Sequence, residues 1–153
     1  MSACGNATLM VVAALAFSTT LVAAADPPPG VDIVDTYPLA QGNYTTADDL
    51  GWIYFQTPDG RACGIGPLGR PVGCDAVPYD APSGTNQTVV NSWGPADYVH
   101  SDTPTFTRDV DTLPEGRRLQ NWLAGCAVGY QGTVDCKTGE HGFVLSAVYG
   151  VLW

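Results

Sequence analysis

Apolar residues along this chain come in short bursts broken by turn-forming residues, and no stretch keeps a 3.6-residue apolar period over helical length. The segment "GWIYFQT" (51–57) is aromatic and β-branched, the composition of a strand, and "TPDGR" (57–61) is a Pro-Asp-Gly turn. With the cysteine-bounded stretch that follows, the pattern predicts a three-strand meander over 52–75. Residues 76–104 are rich in Pro, Gly, Ser, Thr and Asn and read as a long loop, with "ADYVHS" (96–101) as one strand inside it. Loops of that length are often functional, so a binding surface is expected there. Further on, "TFTRDV" (105–110) alternates and "LPEG" (113–116) is a turn. "RRLQNWL" (117–123) leads into a second cysteine stretch, and "GFVLSAVYGVLW" (142–153) closes the chain as one or two buried strands. At "TTADD", Thr46 with Asp49 offers one helical turn at most. The expected class is all-β: a small single-domain sandwich or open barrel of short hairpins.

Two stretches echo each other: "CGIGPLGRPVGC" (63–74) and "CAVGYQGTVDC" (126–136). Ile65 matches Val128, Val72 matches Val134, and the glycines fall midway, where a reversing chain needs positive φ. Each stretch therefore reads as a hairpin with its cysteines opposite one another. Four cysteines allow three pairings. Opposed residues on antiparallel strands stand about 4.5–5.5 Å apart at Cα, within the reach of a disulfide. That geometry selects Cys63–Cys74 and Cys126–Cys136; loop entropy would favour long-range pairing by only about 1 kcal/mol.

An apolar run at Leu9–Phe17, followed by Ala23 and Ala25 at small-x-small spacing, predicts a signal peptide cleaved after Ala25. No Lys or Arg precedes the run, a departure from the usual pattern, and an uncleaved anchor is the alternative. The run is too short to span a bilayer, so no stable membrane span is expected after cleavage. Cys4 lies too near the start to be a lipidated cysteine. The chain then divides into a signal peptide (1–25), a flexible lead-in (26–50) opening on "DPPPG", and a disulfide-stapled β domain (51–153). An even number of cysteines after cleavage fits a secreted or envelope-associated protein.

Charge changes the list of partners. The formal net charge is −9, and all 15 acids follow residue 25 with no basic stripe to oppose them. Such a surface repels phosphate backbones and anionic lipid, which argues against nucleic-acid binding. Thirteen of the acids are Asp, set mostly beside Pro, Gly and Thr, where they favour turns.

The motif order of "FQTPDGRACGIGPLGRPVGCD" (55–75) resembles a family of small exported actinobacterial proteins, best represented in mycobacteria. The closing "LPEGRRLQNWLAGCAVGYQGTVDCKTGEHGFVLSAVYGVLW" (113–153), with its His-Gly-Phe and terminal Tyr-Gly-x-Leu-Trp, is similar to the second half of the same proteins. The chain departs from the commonest form at "PDGRAC". The resemblance implies export, disulfides and a mycobacterial envelope setting. It implies no activity and carries over no catalytic residue.

Candidate chemistry is thin. His141 could serve a hydrolase with Glu140 or an Asp and a serine such as Ser92, Ser101 or Ser146, but no G-x-S-x-G elbow is present, and a turn histidine bonded to local backbone is the plainer reading. His100 is a weaker version of the same idea. Asp109, Asp111 and Glu115 are the densest carboxylates, but among thirteen aspartates some pair meets a glycosidase spacing by chance, and the same stretch, which could bind calcium weakly, lacks EF-hand spacing. The Gly-rich "CGIGPLG" cannot open a phosphate-binding helix because Pro67 within it and Pro71 after it forbid the helix, and no lysine is near. No C-x-x-C pair exists, so neither a metal nor a cofactor is expected. Trp52, Trp122 and Trp153 lie in expected strands and read as core. Trp93, with Tyr98 near it, is the better contact candidate. The expected function is a non-catalytic exported domain that binds an envelope or extracellular partner. The alternatives are the His141 hydrolase and a protease inhibitor presenting "GPLGR" (66–70).

Overall fold

The structure, a computed structural model, describes residues 33–153; the expected signal peptide (1–25) and the "DPPPG" opening lie outside the described residues. Among the described residues, ten short strands form two five-stranded antiparallel meanders. The first holds β1 (Ile53–Gln56), β2 (Ala62–Ile65), β3 (Val72–Cys74), β4 (Gln87–Asn91) and β5 (Gly94–Val99). The second holds β6 (Arg117–Asn121), β7 (Ala124–Val128), β8 (Val134–Thr138), β9 (His141–Leu145) and β10 (Gly150–Leu152). Helix is confined to single 3-10 turns among the described residues. The all-β class and both local disulfides are as the sequence predicts.

The echo between the cysteine stretches extends to the whole domain. Cys63 pairs with Cys74 and Gly64 with Gly73 in the first sheet. In the second, Cys126 pairs with Cys136 and Ala127 with Asp135. Outward from these pairs, Phe55 and Thr88 flank the first disulfide as Leu119 and Phe143 flank the second. The two sheets therefore repeat one five-strand plan in the same register. Both disulfides are fully buried between the sheets, packed with Phe55, Ile65, Leu119 and Phe143.

The outer faces are covered by exchange. Residues 105–113, which lead into the second meander, lie on the first sheet, where Phe106 is buried against Gly64 and Gly73. Asp75 clamps this segment: its carboxylate accepts hydrogen bonds from the Thr105 and Phe106 amides, the Thr107 hydroxyl and Gln87 Nε2. Residues 33–40, which lead into the first meander, lie on the second sheet, with Val34 buried and Leu39 bridging to Arg118. Thr112 makes the reciprocal bridge to Gln56. Of the lead-in expected over 26–50, the described part is thus laid against the sheets, and Tyr44 joins the core.

Two expectations differ from the structure. Residues 76–104 are not one long loop with a single strand: β5 overlaps the strand expected at 96–101, and β4 precedes it, joined by a two-residue turn at Ser92 and Trp93. Pro95 is tolerated because β5 is an edge strand. Trp122 is not core. It occupies the turn between β6 and β7 and is 66% exposed, whereas Trp153 is buried and Trp52 stacks on Tyr54.

The terminal "YGVLW" closes the sandwich. Trp153 exchanges backbone hydrogen bonds with Gly142 and accepts one from Ala96, linking the edges of the two sheets. A Cβ at Gly142 would lie 2.5 Å from the Trp153 ring, so "HGF" needs its glycine for packing. Replacing Cys63 and Cys74 together with Ala should lower the unfolding free energy by about 2–4 kcal/mol, read by denaturant titration. An unchanged midpoint would show that the staple contributes nothing.

Candidate functional site

Because the strands are antiparallel, the hairpin turns collect at two ends of the sandwich. One end carries the turns 57–61, 75–86, 129–133 and 146–149. It is closed by Arg61, whose guanidinium donates to Gly132 O, to Leu145 O and to the Asp59 carboxylate. Its turn segments carry Asp59, Asp75, Asp80, with Asp102 and Glu115 beside them. The other end carries 66–71, 92–93, 122–123 and 139–140. Here Asn121 Nδ2 donates to Gly51 O and Ile65 O, tying the sheets together.

This second end is apolar. Leu50, Leu68, Trp93, Trp122 and Leu123 all project from it and are 66–86% exposed. Between Leu68, Ser92, Trp122, Leu123 and Gly139 runs a groove of about 330 Å³. The backbone holds two of these side chains out at a cost. Leu68 has φ 52 and Trp122 φ 57, a region L-residues avoid by about 1–2 kcal/mol and that hairpin turns usually give to Gly or Asn. Charge is nearly balanced around the patch: Asp35, Asp48, Asp49 and Glu140 lie with Lys137, Arg108 and Arg70. The hydrogen bond from Arg108 holds the Asp49 carboxyl below its ordinary pKa.

The candidate catalytic residues do not converge. His141 opens β9 opposite Thr138, at the apolar end, and its buried Nδ1 has no hydrogen-bond partner among the described residues. Ser146 lies beyond the other end of β9, roughly 17 Å along an extended strand. There its hydroxyl donates to Tyr149 O and accepts from the Val148 and Tyr149 amides. Ser101 donates to Thr103 O, and His100 contacts only the exposed Asp102 carboxylate among the described residues. Asp111 accepts from the Asn43 amide. Tyr98 is partly buried, its hydroxyl against Gly150, and burial raises its pKa. Segment 66–70 is a tight turn with consecutive positive φ at Leu68 and Gly69, not the extended strand that docks in a protease cleft. No group of three or more His, Cys, Asp or Glu among the described residues could hold a metal.

One titratable group escaped sequence reasoning. Asp135 stands on the outer face of the second sheet, at the position Gly73 takes in the first, and is 2% exposed beneath the 33–40 segment. Its Oδ2 has no hydrogen-bond partner among the described residues, although the Tyr37 hydroxyl and Thr133 Oγ1 gather with it over Gly129. Burial pushes its pKa from 3.8 to about 7.

The fold and site together define a disulfide-stapled β-sandwich with one apolar end. No family model, curated protein or solved structure matches the chain.

Asp135 predicts an unusual pH profile. The folded state keeps this proton up to about pH 7, while the unfolded chain releases it near 3.8. Stability contributed by the protonated form is thus complete below pH 3.8 and is lost as pH rises to 7, by roughly 4 kcal/mol in all. Carboxylates such as Asp49, with depressed pKa, act in the opposite direction and at lower pH. In Asp135→Asn the decline between pH 4 and 7 should vanish. Chemical denaturation across that range checks it, and a slope kept by the variant would assign the decline elsewhere.

Proposed function

We propose that this protein is a non-catalytic docking domain of the extracytoplasmic space, and that it binds through its apolar end. Two oxidised disulfides fit an oxidising, extracytoplasmic environment. Export by the expected signal peptide, and the envelope setting that the family resemblance implies, belong to this reading. Among the described residues no helix is long and apolar enough to cross a membrane.

One observation carries the reading: the contrast between two ends built on the same plan. In the repeat, the turn holding Leu68 and Gly69 corresponds to the turn holding Gln131 and Gly132, and all four residues have positive φ. The fold requires that conformation and is satisfied by Gln. Likewise the β6–β7 turn, Trp122 and Leu123, corresponds to the β1–β2 turn, which is the polar Pro58, Asp59 and Gly60. Nothing in the architecture asks for Leu, Trp and Leu at these tips. The opposite end exposes Tyr79, Tyr130, Val148 and Tyr149, three of the four with a polar hydroxyl, whereas this end exposes Leu50, Leu68, Trp93, Trp122 and Leu123 together, the composition of a contact surface. Trp93 sits within it, and the rest of the 76–104 region serves as strands and support.

The test uses substitutions that suit the backbone. Asn tolerates positive φ, so Leu68→Asn with Trp122→Asn should fold at least as stably as the native chain. The same variant should lose most of its binding to the envelope of the producing cell, measured by cosedimentation. Native-level binding with the disulfides intact would reject docking through this end.

A further inference from the structure

The partner that fits the apolar end is a lipid surface, an inference that rests on the docking reading and deepens it. We propose that Leu68, Trp93, Trp122 and Leu123 insert into the interfacial layer of a zwitterionic bilayer, with the sandwich standing on its apolar end. Three features of the molecule converge on this.

The first is where the chain enters the domain. Asp35 shares a cleft with Leu123 and Gly139, and Val34 lies against Gly125, so the described chain begins at the apolar end. From there it runs toward Tyr37 and Leu39, away from that end. The apolar run Leu9–Phe17 is joined to it by residues 18–32, which reach at most roughly 50 Å. The chain thus enters the domain beside the tips, and a tether of that length lets the tips reach a bilayer that holds the run.

The second is charge. At the opposite end Asp59, Asp75, Asp80, Asp102 and Glu115 outnumber Arg61 and Arg117, while acids and bases nearly balance around the tips. That polarity points the repelled part of the molecule at water. It also selects the lipid: a chain of net charge −9 gains nothing from an anionic surface, so a zwitterionic one is its match.

The third is the chemistry of the tips. Tryptophan settles at the membrane–water interface and leucine below it, the two residue types present here. The tips at 92–93 and 122–123 are two-residue turns whose flanking residues are already paired, Asn91 with Gly94 and Asn121 with Ala124. Little unpaired backbone would enter the apolar layer with them.

The chain itself supplies the probe. Its tryptophans are Trp52, Trp93, Trp122 and Trp153, all in the β domain, so their emission is blind to residues 1–32. Full-length protein should be quenched by phosphatidylcholine vesicles with brominated acyl chains. Trp93→Phe with Trp122→Phe should remove the quenching but keep vesicle cosedimentation. Trp122→Asn with Leu123→Asn should weaken partitioning by roughly tenfold or more, from the loss of two buried apolar side chains. Tyr79→Ser with Tyr149→Ser, at the acidic end, should change neither readout. Cosedimentation without quenching would assign binding to residues 1–32 and overturn the proposal. So would native quenching in the Trp122→Asn, Leu123→Asn variant. If the tip variants lose envelope binding, vesicles give no quenching, and protease treatment of the envelope abolishes capture, the partner is a protein. The lipid inference then falls and the docking reading stands.

Discussion

Everything in this domain is referred to two cross-strand sulfur bridges buried between the sheets. A strand that slips by one residue exchanges its inner and outer faces. The strands here are only three to six residues long, so few side-chain contacts resist such a slip. Cys63–Cys74 and Cys126–Cys136 forbid it in the middle of each meander. With β2–β3 and β7–β8 held in register, Ile65, Val72, Val128 and Val134 point inward, while Gly64, Gly73, Ala127 and Asp135 point outward. The remaining strands add outward from these hairpins.

Register alone would leave two half-bare sheets. The outer face of each is completed by a segment from the other half: 105–113 on the first sheet and 33–40 on the second. Neither meander is therefore finished by its own residues, and the halves act as one unit. The repeat is not uniform, and its departures are informative. Where the first sheet gives two glycines to a flat phenylalanine, the second lays Val34 on Gly125 and buries Asp135 near the Tyr37 hydroxyl. A buried carboxyl with an empty oxygen makes that cover the pH-sensitive part of the scaffold.

Much of this was legible because it is local. The two hairpins, their bridges, the Pro-Asp-Gly turn and the closing strands each lie within about a dozen residues of sequence and follow from turn chemistry and alternation. Composition hid β4 and the start of β5, of which only "ADYVHS" was read as a strand. β4 offers only "TVV" as apolar signal, and β5 contains a proline. Trp122 misled for a related reason, since an aromatic beside a strand-like run reads as core until the pairing of Asn121 with Ala124 puts it in the turn. The apolar end was illegible in principle. Its members come from positions 50, 68, 93, 122 and 123, and only the stacking of two meanders brings them together.

Rigidity connects the staples to the surface. A flexible loop that orders on contact forfeits part of its binding energy to lost conformational freedom. Trp93, Trp122 and Leu123 stand on two-residue turns, and Leu68 on a turn closed by the Cys63–Cys74 bridge. Their backbone positions are set before any partner arrives. Holding Leu68 and Trp122 at positive φ works against stability, and the buried bridges beneath them offset that strain. The interior chemistry of this small sandwich and the exposed end are thus two sides of one arrangement. The sulfur bridges keep the turns short and fixed, and fixed turns can keep large apolar side chains in water without collapsing onto them.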